Sequence, residues 1–147
     1  MYLRALMTRV VPRSIRYKPE ELICYGFAEQ MRILTLSGKY KGIWLHIPNE
    51  GKRGKVNMLM LIVLGMIPGA PDYIFAGPWG ACCIEFKTPR RERFNAAMKK
   101  VIVPASKQTV EQKYFQQWCD AEKVPYALCH SAEEALAFLK TQGAISI

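Results

Sequence analysis

Between Pro19 and Leu36 the apolar residues Leu22, Ile23, Phe27, Met31 and Leu34 recur at three- and four-residue steps, with Glu20 and Glu21 directly after the proline. That period predicts an amphipathic helix, and acids in its first turn complement the partial positive charge of a helix N-terminus. SGKYKG then breaks the period, and GIWLHI, rich in aromatic and β-branched residues, predicts a strand ending at Pro48. From Lys55 to Met66 the chain is apolar enough for a buried helix, although Val56, Ile62 and Val63 leave a strand open.

Two strand-like runs come next, Asp72 to Ala76 and Ala81 to Lys87, around the turn signal Gly77-Pro78-Trp79-Gly80, so a β-hairpin is predicted. Alternation sets Cys83, Glu85 and Lys87 on one side of the second strand and Cys82, Ile84 and Phe86 on the other. Thr109 to Glu122 carries a helical apolar stripe of Val110, Tyr114 and Trp118, with Phe115 and Cys119 alongside. Val124 to Leu128 reads as a short strand, and Ser131-Ala132-Glu133-Glu134 as a capping box opening a last helix. Helix, strands, helix, strand, helix predicts one α/β domain with a mixed central sheet flanked by helices. The 147 residues are long enough for one core, and they divide into a basic extension at 1–18, a core at 19–140 and a basic insertion at about 89–108.

Charge adds a partner class. The formal net charge is +9, and residues 1–18 hold Arg4, Arg9, Arg13, Arg16 and Lys18 without an acid. From Lys87 to Lys113 eight basic residues stand against Glu92 and Glu111, a local balance of +6. Such potential favours a polyanion, because neutralising phosphates releases condensed counterions; a merely solubilising surface is the competing account. Cys24, Cys82, Cys83, Cys119 and Cys129 form no CxxC pair, and with His46 and His130 alone beside them they read as reduced, mostly buried thiols rather than zinc ligands. The longest apolar run, Met58 to Ile67, has ten residues where a membrane span needs about twenty. Without a signal-peptide pattern, a cytoplasmic protein with no membrane partner is expected.

Asp72 at the start of one strand and Glu85 on its neighbour are placed to share a Mg²⁺ ion, since adjacent strands lie about 5 Å apart. Magnesium also accepts carbonyl oxygen, which makes the backbone C=O of Phe86 a further ligand, and it neutralises non-bridging oxygen charge while activating water for phosphodiester hydrolysis. Lys87 would orient the attacking water or stabilise charge on the phosphate. The simpler alternative is an exposed Glu85–Lys87 ion pair with Asp72 as a turn residue. His46 reads as a packed or capping histidine before a general base, and Trp44, Trp79 and Trp118 as core or turn-packing residues.

GMIPGAPDYIF followed by CCIEFKTP resembles the PD-(D/E)xK nuclease superfamily, and more particularly its virus-type replication-repair nuclease (VRR-NUC) family. HIPNEGKRG, TVEQKYFQQW and VPYALCHSAEEALAFL resemble that family's strand-and-loop segment, Gln-bearing helix and final strand and helix, so the likeness runs from about Pro19 to Leu139. It implies a restriction-endonuclease-like core and Mg²⁺-dependent DNA hydrolysis, with Mn²⁺ as a substitute. Asp72, Glu85 and Lys87 then take the catalytic positions, with Asp72, Glu85 and Phe86 on the metal. The family's first-helix acid matches Glu21 best, with Glu20 or Glu29 as alternatives, and its helical Gln falls on Gln112, which would support the metal-bound water or Lys87, or cap its own helix through Thr109-Val110-Glu111-Gln112. Asn49, Lys52 and Arg53, in the loop after the first strand, and Arg90 and Arg91 are candidate DNA contacts, an exposed polar loop being the alternative for Lys52 and Arg53. The resemblance suggests a bacterial cell or phage-infected host, branched DNA such as four-way junctions or flaps, and a homodimer. PRRERFNAAMKKVIVPASKQ, between Thr88 and Thr109, departs from the family's short turn and is expected as a basic loop or small helix. A DNA-binding module of the same fold without turnover is the competing function.

Overall fold

The apolar period after Pro19 forms helix α2 (Pro19–Leu36), preceded by the short helix α1 (Tyr2–Leu6). The computed structural model describes residues 2–7, 16–48 and 55–146. The remaining elements are β1 (Ile43–His46), α3 (Lys55–Val63), β2 (Tyr73–Gly77), β3 (Gly80–Phe86), β4 (Arg91–Phe94), β5 (Lys100–Val103), α4 (Val110–Ala121), β6 (Tyr126–Cys129) and α5 (Ala132–Thr141). Together they make a small α/β domain with a mixed four-stranded sheet in the order β1-β2-β3-β6.

The β2–β3 hairpin turns at Pro78-Trp79 with Gly77 facing Gly80, and β1 extends the sheet antiparallel to β2. β6 lies parallel to β3, which requires the long crossover that α4 supplies. One face of the sheet is the core. There Tyr73, Phe75, Ile84 and Phe86 pack against Phe27 and Met31 of α2 and Ala135 and Leu139 of α5. The Phe27 ring meets those of Tyr73 and Phe86 at centroid distances of 5.1 and 5.2 Å, so this helix face is fixed by aromatic burial worth about 2 kcal/mol or more per ring. The opposite face of β3 carries Cys83 and Glu85, as alternation predicts, and α4 reaches them through Cys119 and Gln112, while Lys87 follows the strand and meets Glu20 of α2.

Ser131 caps α5 by accepting the Glu134 amide at 3.2 Å. The Glu134 carboxylate reaches one residue further than a capping box requires, to the His130 amide at 2.7 Å. Four cysteines are buried, and all five are unbridged.

Three expectations change. α3 is a helix, but an exposed one: Val56 and Val63 are 78% and 80% accessible, and its low amphipathicity leaves it no single face to bury. The stripe Val110, Tyr114 and Trp118 on α4 also faces outward, at 58%, 64% and 51%, because the helix turns Gln112, Gln116 and Cys119 toward the sheet. Trp118 is therefore not a core residue. The insertion is neither loop nor small helix but the antiparallel β4–β5 hairpin, a two-stranded sheet of its own. KVIV carries three β-branched residues in a row, which favours a strand over a helix, and RERF pairs along it. No described helix is long and apolar enough to cross a membrane.

Candidate metal centre

Asp72 stands one residue before β2, where the backbone is held on both sides. The Ile47 amide donates to the Asp72 carbonyl at 2.8 Å, and His46, with its proton on Nδ1, donates to the same oxygen at 2.9 Å. The Phe86 amide donates to Asp72 Oδ2 at 2.7 Å. Continuing the β2–β3 register sets Pro71 opposite Phe86. Proline has no N–H to return, so the Phe86 carbonyl, on the same strand edge as its amide, faces no ladder donor there. That leaves it chemically suited to a cation. The expected capping role of His46 is thus met in a specific form: it anchors the main chain of Asp72.

Glu85 faces Asp72 across the same register and is 1% exposed. Lys87 Nζ lies 3.1 Å from Glu85 Oε1 and 4.0 Å from Glu20 Oε1, and Lys87 too is buried, so the alternative of an exposed ion pair is excluded. Gln112 Nε2 donates to Glu85 Oε1 at 2.5 Å. The same Gln112 caps α4, its Oε1 accepting the Thr109 amide at 2.9 Å while its own amide donates to Thr109 Oγ1 at 3.2 Å. The capping account holds, and the same side chain also reaches the site, giving its carbonyl to the cap and its amide to the Glu85 carboxylate rather than to Lys87.

The helix reaches the site through a glycine. Gly69, at φ +80°, lies so close to the start of α4 that a Cβ there would sit 2.3 Å from the Glu111 carbonyl carbon and 2.6 Å from the Gln112 nitrogen. Only a residue without a side chain lets the turn before Asp72 and the N-terminus of α4 meet.

Glu20, Asp72 and Glu85 each turn a carboxylate oxygen into one cluster, with these atoms within 4.8 Å of one another. Compared with protein-family models, curated proteins and solved structures, the chain gives no match. The site therefore rests on its own chemistry. Oxygens on opposite sides of one hard divalent ion are about 4–5 Å apart for bonds of about 2.1–2.5 Å, so the cluster is of the right size. Three ionised carboxylates and one ammonium sum to a formal charge of −2, which a divalent cation cancels. Glu85 Oε2 is buried without a hydrogen-bond partner, the kind of orphaned acceptor that a cation would satisfy. Burial, then the neighbouring Asp72 charge, push the Glu85 carboxyl up from 4.5 to about 8 against the opposing pull of Lys87. All-oxygen donors suit a hard divalent ion such as Mg²⁺ or Mn²⁺, and the cluster has none of the Cys or His that most zinc sites use.

Of the three acids of α2 weighed for this role, Glu20 is the one that reaches the carboxylate cluster. Glu21 caps its own helix, accepting the Lys18 amide at 2.6 Å, and Glu29 is paired with Arg32 at 2.8 Å. Periodicity carried the signal: Glu20 precedes the buried Phe27 by seven residues and Met31 by eleven, on the helix's inward face, whereas Glu21 is one step round. Asn49, Lys52 and Arg53 lie outside the described residues. Arg90 and Arg91 follow Lys87 closely, Arg90 exposed and Arg91 opening β4 opposite Val103. A polar neighbour the sequence did not suggest is Tyr126 on β6, held by Gln108 Nε2 at 3.4 Å and raised in pKa by burial and then by the Glu85 charge.

Proposed function

We propose that this chain is a divalent-metal-dependent deoxyribonuclease with a restriction-endonuclease-like core. The observation that carries the reading is the cluster of three carboxylates, Glu20 and Asp72 half-buried and Glu85 fully buried beside the buried Lys87, with Glu85 Oε2 lacking a hydrogen-bond partner among the described residues. Replacing buried ions by apolar residues is often neutral or stabilising, so a fold alone gives little reason to keep them. Glu20, Asp72, Glu85 and the Phe86 carbonyl would hold a Mg²⁺ or Mn²⁺ ion. Bound there, such an ion neutralises charge on a phosphodiester and activates water.

The chain's own groups have distinct parts. Phe86 N–H and His46 fix Asp72, one through its carboxylate and the other through its carbonyl. Gln112 holds Glu85 in one orientation, and Lys87 keeps an ammonium beside that carboxylate, where it can orient water or meet charge on the phosphate. The basic stretches supply the electrostatic pull toward DNA, with Arg90 and Arg91 next to the site. The resemblance to VRR-NUC nucleases adds branched DNA, a setting in phage or bacterial replication and repair, and a homodimer. The exposed apolar residues of α3 and of the α4 stripe are the surface that a second copy would cover.

The test is cleavage of four-way junction, flap, single-stranded and linear duplex DNA with Mg²⁺ or Mn²⁺, comparing wild type with Asp72→Ala and Lys87→Ala. Wild type should cut, both variants should lose about 10²-fold or more in rate, and Lys87→Ala should keep its affinity by fluorescence anisotropy. Wild type that binds DNA but cuts none of these substrates would replace the nuclease by a binding module.

A further inference from the structure

The β4–β5 hairpin leaves the domain immediately after Lys87. Its neck is closed by Thr88 and Ser106: the Thr88 amide donates to Ser106 Oγ at 2.7 Å and the Ser106 amide to the Thr88 carbonyl at 3.0 Å. Beyond the neck, no described helix or strand packs broadly against it. An isolated two-stranded hairpin is only marginally stable in water, yet this one is locally well defined. Its turn is tied by Asn95, whose Oδ1 accepts the Ala97 and Lys99 amides at 3.0 Å each, and Glu92 pairs with Lys100 at 2.8 Å.

What the hairpin displays is unusual for a solvent-facing turn. Phe94 and Met98 at the tip are 68% and 77% exposed, and Met98 sits at φ 55°, a conformation that costs a non-glycine residue energy. Around them residues 89–108 hold Arg90, Arg91, Arg93, Lys99, Lys100 and Lys107 against Glu92, so six positive charges and one negative leave +5. Charge of that density selects a polyanion over an apolar protein surface as the occupant. Asn95 lies eight residue steps beyond Lys87, and at about 3.3 Å a step an extended run reaches at most about 26 Å, the rise of seven or eight stacked base pairs at about 3.4 Å. A two-stranded ribbon is also of a width that a major groove admits.

We propose that the β4–β5 hairpin is a DNA-branch wedge: its arginines and lysines track the phosphates beside the scissile bond, and Phe94 and Met98 insert against bases exposed where the helical stack is interrupted. The proposal rests on the nuclease reading and names its specificity element. Apolar side chains that enter a continuous duplex must unstack a base step, whereas at a junction or flap that step is already open. The wedge therefore favours branched over linear DNA without reading sequence.

The experiment compares wild type with Phe94→Ala/Met98→Ala, both tip positions being exposed and remote from the core. Rates with Mg²⁺ are measured on a four-way junction or flap and on a linear duplex of the same sequence. In parallel, Lys87→Ala protein, with and without the two tip changes, is bound to the branched DNA carrying 2-aminopurine next to the branch. The tip variant should lower the branched-to-linear rate ratio at least about fivefold, the lower end for losing one base-stacking aromatic, and should abolish the 2-aminopurine fluorescence rise. An unchanged ratio and an unchanged fluorescence rise overturn the wedge. So does a tip variant whose only change is in sedimentation, which would make the tip a contact between protein copies. If wild type cuts nothing while the fluorescence rise still depends on the tip, the wedge stands and the nuclease reading falls.

Discussion

Glu85 gives the sharpest test, because the same carboxylate should destabilise the metal-free protein and bind the metal. Its pKa rises from 4.5 to about 8 on folding, chiefly through burial and next through the Asp72 charge. Between those values the folded state holds a proton that the unfolded state has released, so stability falls as pH rises through that window. At about 1.4 kcal/mol per pH unit the full interval amounts to about 5 kcal/mol as an upper bound, a large share of the 5–15 kcal/mol typical of a domain. For a chain of this size that corresponds to roughly 3 °C per kcal/mol, or up to roughly 15 °C in Tm. Glu85→Gln is the matching perturbation. Its carbonyl can accept the Lys87 and Gln112 donors that Oε1 now serves, and its amide would take the place of the orphaned Oε2 without ionising. Thermal melts at pH 5, 6.5 and 8, in EDTA and with Mn²⁺, should show wild type losing stability toward pH 8 in EDTA and Glu85→Gln losing distinctly less. Mn²⁺ should raise the wild-type Tm most at pH 8, where less proton competition opposes binding, and leave Glu85→Gln almost unmoved. Equal pH slopes for the two proteins, or equal stabilisation by Mn²⁺, would refute the assignment of both roles to Glu85.

Two further perturbations separate the parts of the scaffold. Thr109→Ala removes only the helix cap and should cost about 1 kcal/mol, whereas Gln112→Ala should cost as much and also weaken Mn²⁺ binding about tenfold in a calorimetric titration; equal losses of Mn²⁺ affinity would mean that Gln112 acts through its helix alone. Gly69→Ala forces a Cβ to within 2.3 Å of the Glu111 carbonyl carbon, while Gly65→Ala, at φ +103°, meets open space. Both should lose about 1–3 kcal/mol from backbone strain, but only Gly69→Ala should also weaken Mn²⁺ binding, by pushing α4 from Glu85; matching behaviour would deny that close approach any part in building the site.

Where local pattern and tertiary packing agree, the chain was legible before folding. The ends of α2, the β2–β3 hairpin and its two faces follow from a helical period, a Gly-Pro-Trp-Gly turn and strand alternation, each set by neighbouring residues. The place of Glu20 in the cluster was legible in principle, since Glu20 shares the helix face of Phe27 and Met31 while Glu21 lies one step round. Exposure was not legible. An apolar run such as KVNMLMLIV states that a helix wants cover, and the stripe Val110, Tyr114 and Trp118 states that one face is apolar, yet neither says what element of this chain will lie opposite. The β4–β5 hairpin was hidden for a related reason: its turn is fixed by Asn95 hydrogen bonds rather than by a glycine signal.

The face of β3 beneath α4 explains why the site and the fold pull against each other. Cys83 and Glu85 occupy successive positions on one face of a central strand, with Lys87 buried just past its end, where local rules call for apolar residues. The fold accommodates them by three separate arrangements: Pro71 withholds a ladder donor from Phe86, Gly69 admits the start of α4, and Gln112 divides its amide between a helix cap and a carboxylate. None of these would benefit a purely apolar strand, and each makes sense if a group on that face must be held in one orientation. Metal-free, burial and then the Asp72 charge favour the protonated form of Glu85, which lowers the charge of the cluster. A divalent ion bound there would displace that proton and satisfy Oε2, so that binding it would also relieve this local conflict.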